Sequence, residues 1–238
     1  MGAVSTARAR ARADITREIA DAARRQLATD GASALSLRAV ARELGMASSA
    51  LYRYFSSRDE LLTALIIAAY DGLGAAAERA QAKVPREDLA GRWFATARAV
   101  RRWAVKHPHE YALIYGSPVP GYRAPADTVV AATRVVLLLA GVVTDAAAAG
   151  ALTPPPRPLD VEGLLTPSVF ATAEIPATPP YPDLVLRTLT AWSALFGAIS
   201  FELFGHLHNA VTDYPRYFDN AMAVVAETVG LQIGPPGD

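Results

Sequence analysis

Apolar positions recur at helical spacing through most of the chain, and nowhere do they alternate long enough to predict a strand. Ile15, Ile19, Ala22, Ala23 and Leu27 form the stripe of a first helix over 14–29, closed by Asp30 and Gly31. Leu37, Val40, Ala41 and Leu44 mark a short second helix that Gly45 ends. Ser36 stands in its N-cap position, where a hydroxyl accepts a hydrogen bond from an unpaired N–H of the first turn. Ser48 or Ser49 is placed to cap a third helix, on which Leu51 and Phe55 share a side at i and i+4. Ser57 and Glu60 have the spacing of a capping box. The fourth helix they open runs through Leu61, Leu62, Leu65, Ile66 and Tyr70, weakens at Gly72 and Gly74, and is closed off by Pro85.

Further helices are predicted over 86–107, 109–115, 126–149, 183–207 and 214–231. The 126–149 segment is alanine- and valine-rich and nearly apolar all round, the pattern of a central buried helix. Nine of the 17 prolines lie between Pro154 and Pro182, a density that predicts a long loop over 150–182 with room for a helical turn or two. The class is all-α: an N-terminal three-helix helix-turn-helix domain over 14–58, preceded by a flexible basic arm over 1–13, and a C-terminal helical body over 59–233.

Charge sharpens this division. The net charge is zero, yet residues 1–62 hold ten arginines against seven acids, while residues 63–238 hold 13 basic against 16 acidic residues. A positive field is therefore local to the helix-turn-helix end. Arg8, Arg10 and Arg12 fall in an arm without acids, which reads as a tail for phosphates or the minor groove or as a solvated terminus. The absence of cysteine excludes disulfides and thiolate metal sites. The arm has no apolar core to make it a signal peptide, and the longest apolar run, 135–143, is short for a bilayer. The expectation is a cytoplasmic protein that does not insert in membranes.

The polar face of the third helix carries the chemistry. Ser48, Ser49, Tyr52 and Arg53 lie away from Leu51 and Phe55 and offer hydroxyl and guanidinium donors to phosphates and base edges of double-stranded DNA. Arg53 can read a guanine edge or meet a phosphate, and Arg38 is a second groove candidate. The run from Leu51 to Phe55 (Leu-Tyr-Arg-Tyr-Phe), followed by Ser57-Arg-Asp-Glu-Leu-Leu62, resembles the signature of TetR/AcrR-type transcriptional regulators, a likeness that covers about 12–65. It implies a dimeric, ligand-responsive repressor. It also implies phosphate contacts from Tyr52, Tyr54 and Arg58, with tyrosine at 54 where many relatives have histidine. With Ser36, these residues form the predicted DNA-binding set.

For the C-terminal body, a small-molecule sensor needs a mostly apolar pocket with a few polar handles. Trp103, Tyr111, Tyr115, Phe170, Trp192 and Phe196 are its candidates, against the alternative that they are core aromatics. The stretches 106–111 and 192–205 resemble a C-terminal domain type of the same family with a tryptophan–histidine–glycine motif, here Trp192, Phe196 and Gly197. Leu189, Ile199 and Leu203 on one helix, with Tyr217, Phe218, Ala221 and Val225 on the next, are the predicted homodimer interface, a four-helix arrangement across two subunits. Glu202 and His206, at i and i+4, lack an evident third metal ligand, so no metal is expected. No cofactor is expected either, and no nucleophile–base pair points to catalysis. The expected function is a repressor released from a pseudo-palindromic operator by a small, mostly apolar effector of unknown identity. A helical binding or catalytic protein with a vestigial helix-turn-helix, and a constitutive DNA-binding protein, are the alternatives.

Overall fold

The computed structural model describes residues 2–153 and 159–232 and holds ten α-helices among them: α1 (Gly2–Asp30), α2 (Leu37–Glu43), α3 (Ser48–Leu51), α4 (Arg58–Gln81), α5 (Leu89–Lys106), α6 (Pro108–Tyr115), α7 (Thr128–Ala148), α8 (Pro167–Ala173), α9 (Tyr181–Leu203) and α10 (Tyr214–Thr228). An isolated antiparallel bridge pairs Leu152 with Leu231. The fold is all-α, as the periodicity predicts.

The chain forms two compact units, and their boundaries differ from the predicted ones: residues 1–71 with 107–131, and residues 72–106 with 132–238. The first unit is discontinuous because α6 and the segment after it carry Leu113, Ile114, Val119 and Tyr122, which pack on the core of the helix-turn-helix. That core is built from Ile19, Ala22, Ala23 and Leu27 of α1, Val40 and Ala41 of α2, and Leu51 of α3, closed by Phe55 and by Leu61, Leu62 and Leu65 of α4. Tyr122 adds a hydroxyl contact to Thr63 at 2.9 Å. Tyr70, Tyr111 and Tyr115 form a cluster in the same unit, with ring centroids 5.9 Å apart for Tyr70–Tyr115 and 5.3 Å for Tyr111–Tyr115. Burial pushes the Tyr70 and Tyr115 phenols up from their ordinary value, so they stay neutral.

Local signals resolve in ways the sequence does not show. The arm predicted over 1–13 is helical from Gly2 and continuous with α1; alanine and arginine are strong helix formers, and no proline interrupts them. Ser36 occupies the N-cap of α2, but its hydroxyl makes no cap bond; its backbone N–H donates to Gln26 Oε1 at 3.1 Å. The N-cap of α3 is Ala47, not Ser48 or Ser49. Gly45 takes a φ of 64°, a left-handed turn that costs glycine nothing, and Met46 N–H reaches back to Ala41 C=O at 2.8 Å. At the start of α4, Ser57 Oγ accepts from Glu60 N–H at 3.1 Å, as the capping box predicts. The Glu60 carboxylate reaches Ser56 instead, accepting from its N–H and hydroxyl at 2.6 Å each. Those bonds, the hydroxyl's first, hold the Glu60 carboxyl below its usual range.

The second unit is tied by buried aromatics and paired charges. Trp93 of α5 donates its indole N–H to Met222 C=O of α10 at 3.0 Å. Arg101 grips Glu202 of α9 bidentately at 2.6 and 2.7 Å, and Arg98 grips Asp219 of α10 at 2.9 Å twice. Gly72 and Gly74 do not break α4. They admit neighbours: a Cβ at Gly74 would stand 2.7 Å from Arg134 Nε, and one at Gly72 would stand 3.2 Å from Trp103 Nε1. Arg134 then reaches Glu78 at 2.6 and 2.7 Å, and its hydrogen bond holds that carboxyl below the usual range.

α7 is not buried all round. Ala131, Val135, Leu139, Val142 and Ala146 make one buried stripe, while Val129, Val130 and Leu137 are exposed. A helix of alanine and valine carries no polar contrast, so packing alone decides its inner face. By length and composition α4, α7 and α9 are long and apolar enough to cross a membrane, a wider reach than the 135–143 run alone. In this fold each of the three has a set of buried side chains, such as Leu61, Leu65 and Leu73 of α4 and Leu184, Leu195 and Ile199 of α9. The proline-rich stretch contains the two-turn helix α8, and residues 154–158 lie outside the described residues.

One arginine is placed to hold the helix-turn-helix in shape. Arg58 donates from Nε to Leu35 C=O at 3.1 Å and from one terminal nitrogen to Ala32 at 2.9 Å and Ser33 at 3.2 Å. Ala32 and Ser33 belong to the 3-10 turn Ala32–Ala34 that leads into α2, and Leu35 is its C-cap. Arg58→Ala is expected to destabilise the protein by about 2 kcal/mol, since charged hydrogen bonds contribute about 1.5–3 kcal/mol. A urea melt followed by circular dichroism measures it.

Candidate nucleic-acid interface

α3 is only four residues long and stands on Leu51, which is fully buried, with Phe55 5% exposed beyond it. These anchors turn the opposite side outward. Ser48, Ser49, Tyr52 and Arg53 are all exposed, Tyr52 to 46%, and Arg38 of α2 is exposed as well. The five make a set of hydroxyl and guanidinium donors on neighbouring short elements, as a groove-reading surface requires. Ser36 is half-buried at the head of α2.

Two predicted members are used differently. Arg58 is a correction: its donors go to the carbonyls of residues 32, 33 and 35, and its other terminal nitrogen lies 3.5 Å from Asp59. It positions the reading elements from within the domain and does not stand out as a phosphate donor. Tyr54 is half-buried, and the Arg12 guanidinium lies over its ring, 5.1 Å from the centroid. Arg12 also donates to the backbone carbonyl of Arg53 at 3.1 Å. Nothing in the spacing of the sequence marks that contact, which joins residues 41 apart.

The six aromatics of the predicted pocket divide between the units. Tyr111 and Tyr115 belong to the first, with Tyr111 fully buried. Trp103, Phe170, Trp192 and Phe196 belong to the second, where Trp192 and Phe196 meet edge to face at 5.8 Å. The Trp192 indole N–H is buried and has no hydrogen-bond partner among the described residues. A cleft that the sequence does not announce opens in the second unit, about 720 Å³ in volume, lined among others by Gln81, Arg92, Leu137, Asp145 and Glu174. Its central carboxylate is already engaged: Asp145 accepts from Arg86 at 2.8 Å and Arg92 at 2.7 Å, which holds it below the usual range.

The predicted dimer surface needs correcting at two positions. Ile199 is fully buried and Phe218 is 1% exposed, so both belong to the protomer's own core. The large apolar side chains that α9 and α10 leave outside are Phe201 (54% exposed), Tyr217 and Val224 (62% exposed), and Phe204 is exposed at the C-cap of α9. Leu189, Leu203, Ala221 and Val225 are half-buried between the two faces. Glu202, considered as a metal ligand with His206, is held by Arg101.

Comparison with known proteins agrees with the architecture. Residues 19–65 match the family described as bacterial regulatory proteins of the tetR family, and residues 93–225 match a tetracyclin repressor-like C-terminal domain. The HTH-type transcriptional regulator Rv1816 of Mycobacterium tuberculosis is 42% identical over 229 residues, 91% of this chain and 94% of the relative. Among solved structures, SCO4313, described as a regulatory protein, superposes with a TM-score of 0.70 at 36% identity over 92% of this chain and 98% of its own. A Rhodococcus sp. RHA1 protein of unknown function gives 0.65 at 27% identity over 90% and 92%. With a helix-turn-helix that presents its polar side outward and these matches along most of its length, the chain belongs to the TetR family of DNA-binding transcriptional regulators.

Proposed function

We propose that the protein is a homodimeric repressor, released from a pseudo-palindromic operator by a small, mostly apolar effector. The observation that carries the DNA part is the exposed set Ser48, Ser49, Tyr52, Arg53 and Arg38 on elements whose other sides are buried. Two such sets related by a two-fold axis meet adjacent major grooves when half-site centres lie about 34–36 Å apart. Repression needs no activating surface, because a bound dimer blocks the polymerase by occupancy.

Dimerisation is supported by Phe201, Tyr217 and Val224, large apolar side chains exposed on adjacent helices. The effector is supported by the aromatic content of the second unit and by the Trp192 N–H, since an unsatisfied buried donor costs about 1–3 kcal/mol until an acceptor meets it. The effector class is then an apolar molecule with a carbonyl, ether or carboxylate oxygen. α4 is one continuous helix whose residues are shared between the units, so strain at its later turns passes along its backbone. Shifting the DNA-competent state from 99:1 to 1:99 takes about 5.5 kcal/mol of differential affinity.

The primary test is a fluorescence anisotropy titration against a duplex that the protein selects from a random pool. Tyr52→Phe should weaken binding to all sequences by a similar factor, because it removes a phosphate donor. Arg53→Ala should relax preference at one base pair per half-site, worth about 1–3 kcal/mol of discrimination. Failure to select any duplex would refute the regulator reading. Phe201→Glu combined with Val224→Glu should convert a dimer to a monomer by light scattering with little change in melting temperature, since both side chains are exposed. In a thermal-shift screen of apolar oxygen-bearing compounds, any binder of the wild type should lose roughly tenfold in affinity to Trp192→Phe.

A further inference from the structure

The amino-terminal part of α1 is a helical extension of the helix-turn-helix unit, and its charges are one-signed. From residue 2 to residue 13 the only ionisable side chains are Arg8, Arg10 and Arg12, and the first acid, Asp14, is paired with Arg17 at 3.0 Å. All three arginines are exposed. No acid stands in the first turn of α1 to offset these charges. The arrangement is complementary to an external polyanion.

The structure fixes which side of the extension faces the reading surface. Arg12 donates to the Arg53 carbonyl and lies over the Tyr54 ring, so that side of α1 stands against the end of the recognition segment. Arg8 is four residues earlier, on the same face and about 6 Å further along the axis. Arg10 is two residues from each and points to the other side. We propose that Arg8 is a second DNA contact, donating to a backbone phosphate beside the half-site read by Tyr52 and Arg53, and that Arg12 is the positioning residue that aims it. This rests on the DNA-binding role of the helix-turn-helix and adds a contact outside it. It also replaces a flexible tail with a helical one: the phosphate is met because the helix holds Arg8 at a fixed offset from Arg53.

The test uses the full chain and the duplex it selects from a random pool, with affinity measured across a salt series. Selection of a duplex by the wild type establishes the underlying reading independently. Each phosphate contact contributes about 0.9 to the slope of log affinity against log salt. Arg8→Ala should lower that slope by about 0.9 and weaken binding roughly fivefold at about 0.15 M salt, without change in base preference. Arg10→Ala, which removes the same charge from the other face, should leave the slope at the wild-type value. Ala11→Pro keeps every arginine but breaks the helix between Arg8 and Arg12, and should reproduce the Arg8→Ala slope. Equal losses from Arg8→Ala and Arg10→Ala, an unaltered slope in Arg8→Ala, or wild-type binding by Ala11→Pro would each overturn the proposal. The core residues of the unit begin beyond this extension, and an unchanged melting temperature in each variant shows that the effect is not one of folding.

Discussion

A helix of four residues has no stability of its own, because nucleation costs more than so few hydrogen bonds return. α3 exists only because Leu51, and Phe55 just after it, are drawn into the core formed with α1, α2 and α4. Burial of such side chains contributes about 1.5–3 kcal/mol each. The same two anchors decide which side chains remain outside, so the candidate DNA-reading surface is the complement of a packing solution. Around it the supports are polar and specific. Gly45 makes the turn, Arg58 gathers three carbonyls of the preceding connection, and Glu60 fastens the start of α4 to Ser56. Loosening any of these moves the reading side chains without touching them.

The second unit uses a different device. Its helices carry broad apolar sides, and α5 packs on both α9 and α10, which also pack on each other, with apolar contact and charge together. Trp93 fixes the depth of α10, while the bidentate pairs Arg98–Asp219 and Arg101–Glu202 fix rotation about the helix axes. Arg101 and Glu202 are 15% and 13% exposed, so this pair is sheltered, and removing one partner leaves a poorly solvated charge. A unit tied in this way holds its exposed aromatic side in a defined place.

The all-α class, the order of elements and the helix-turn-helix were legible in the sequence because each rests on local spacing. Less local features were not. An arginine at a helix start looks the same whether it meets phosphate or, like Arg58, the carbonyls of residues more than twenty positions earlier. Periodicity showed that α9 and α10 each have an apolar side too wide for one neighbour. It did not show that the protomer would cover Ile199 and Phe218 and leave Phe201 and Val224 outside, which depends on how the helices cross. α7 offered no polar contrast to read. The charge of the arm favours disorder, but its alanines favour helix more strongly.

The discontinuity of the first unit has a consequence for how the protein is made. Its core is incomplete until residues 107–131 have emerged, because Leu113, Ile114, Val119 and Tyr122 cover the helix-turn-helix. At about 5–20 residues per second, the 60 residues from 71 to 131 take roughly 3–12 s to synthesise. Throughout that interval the nascent helix-turn-helix carries an uncovered apolar flank, while α5 is made before its own partners, α9 and α10. The DNA-binding unit therefore matures only after residues 107–131 have been made, although most of its residues are translated before them.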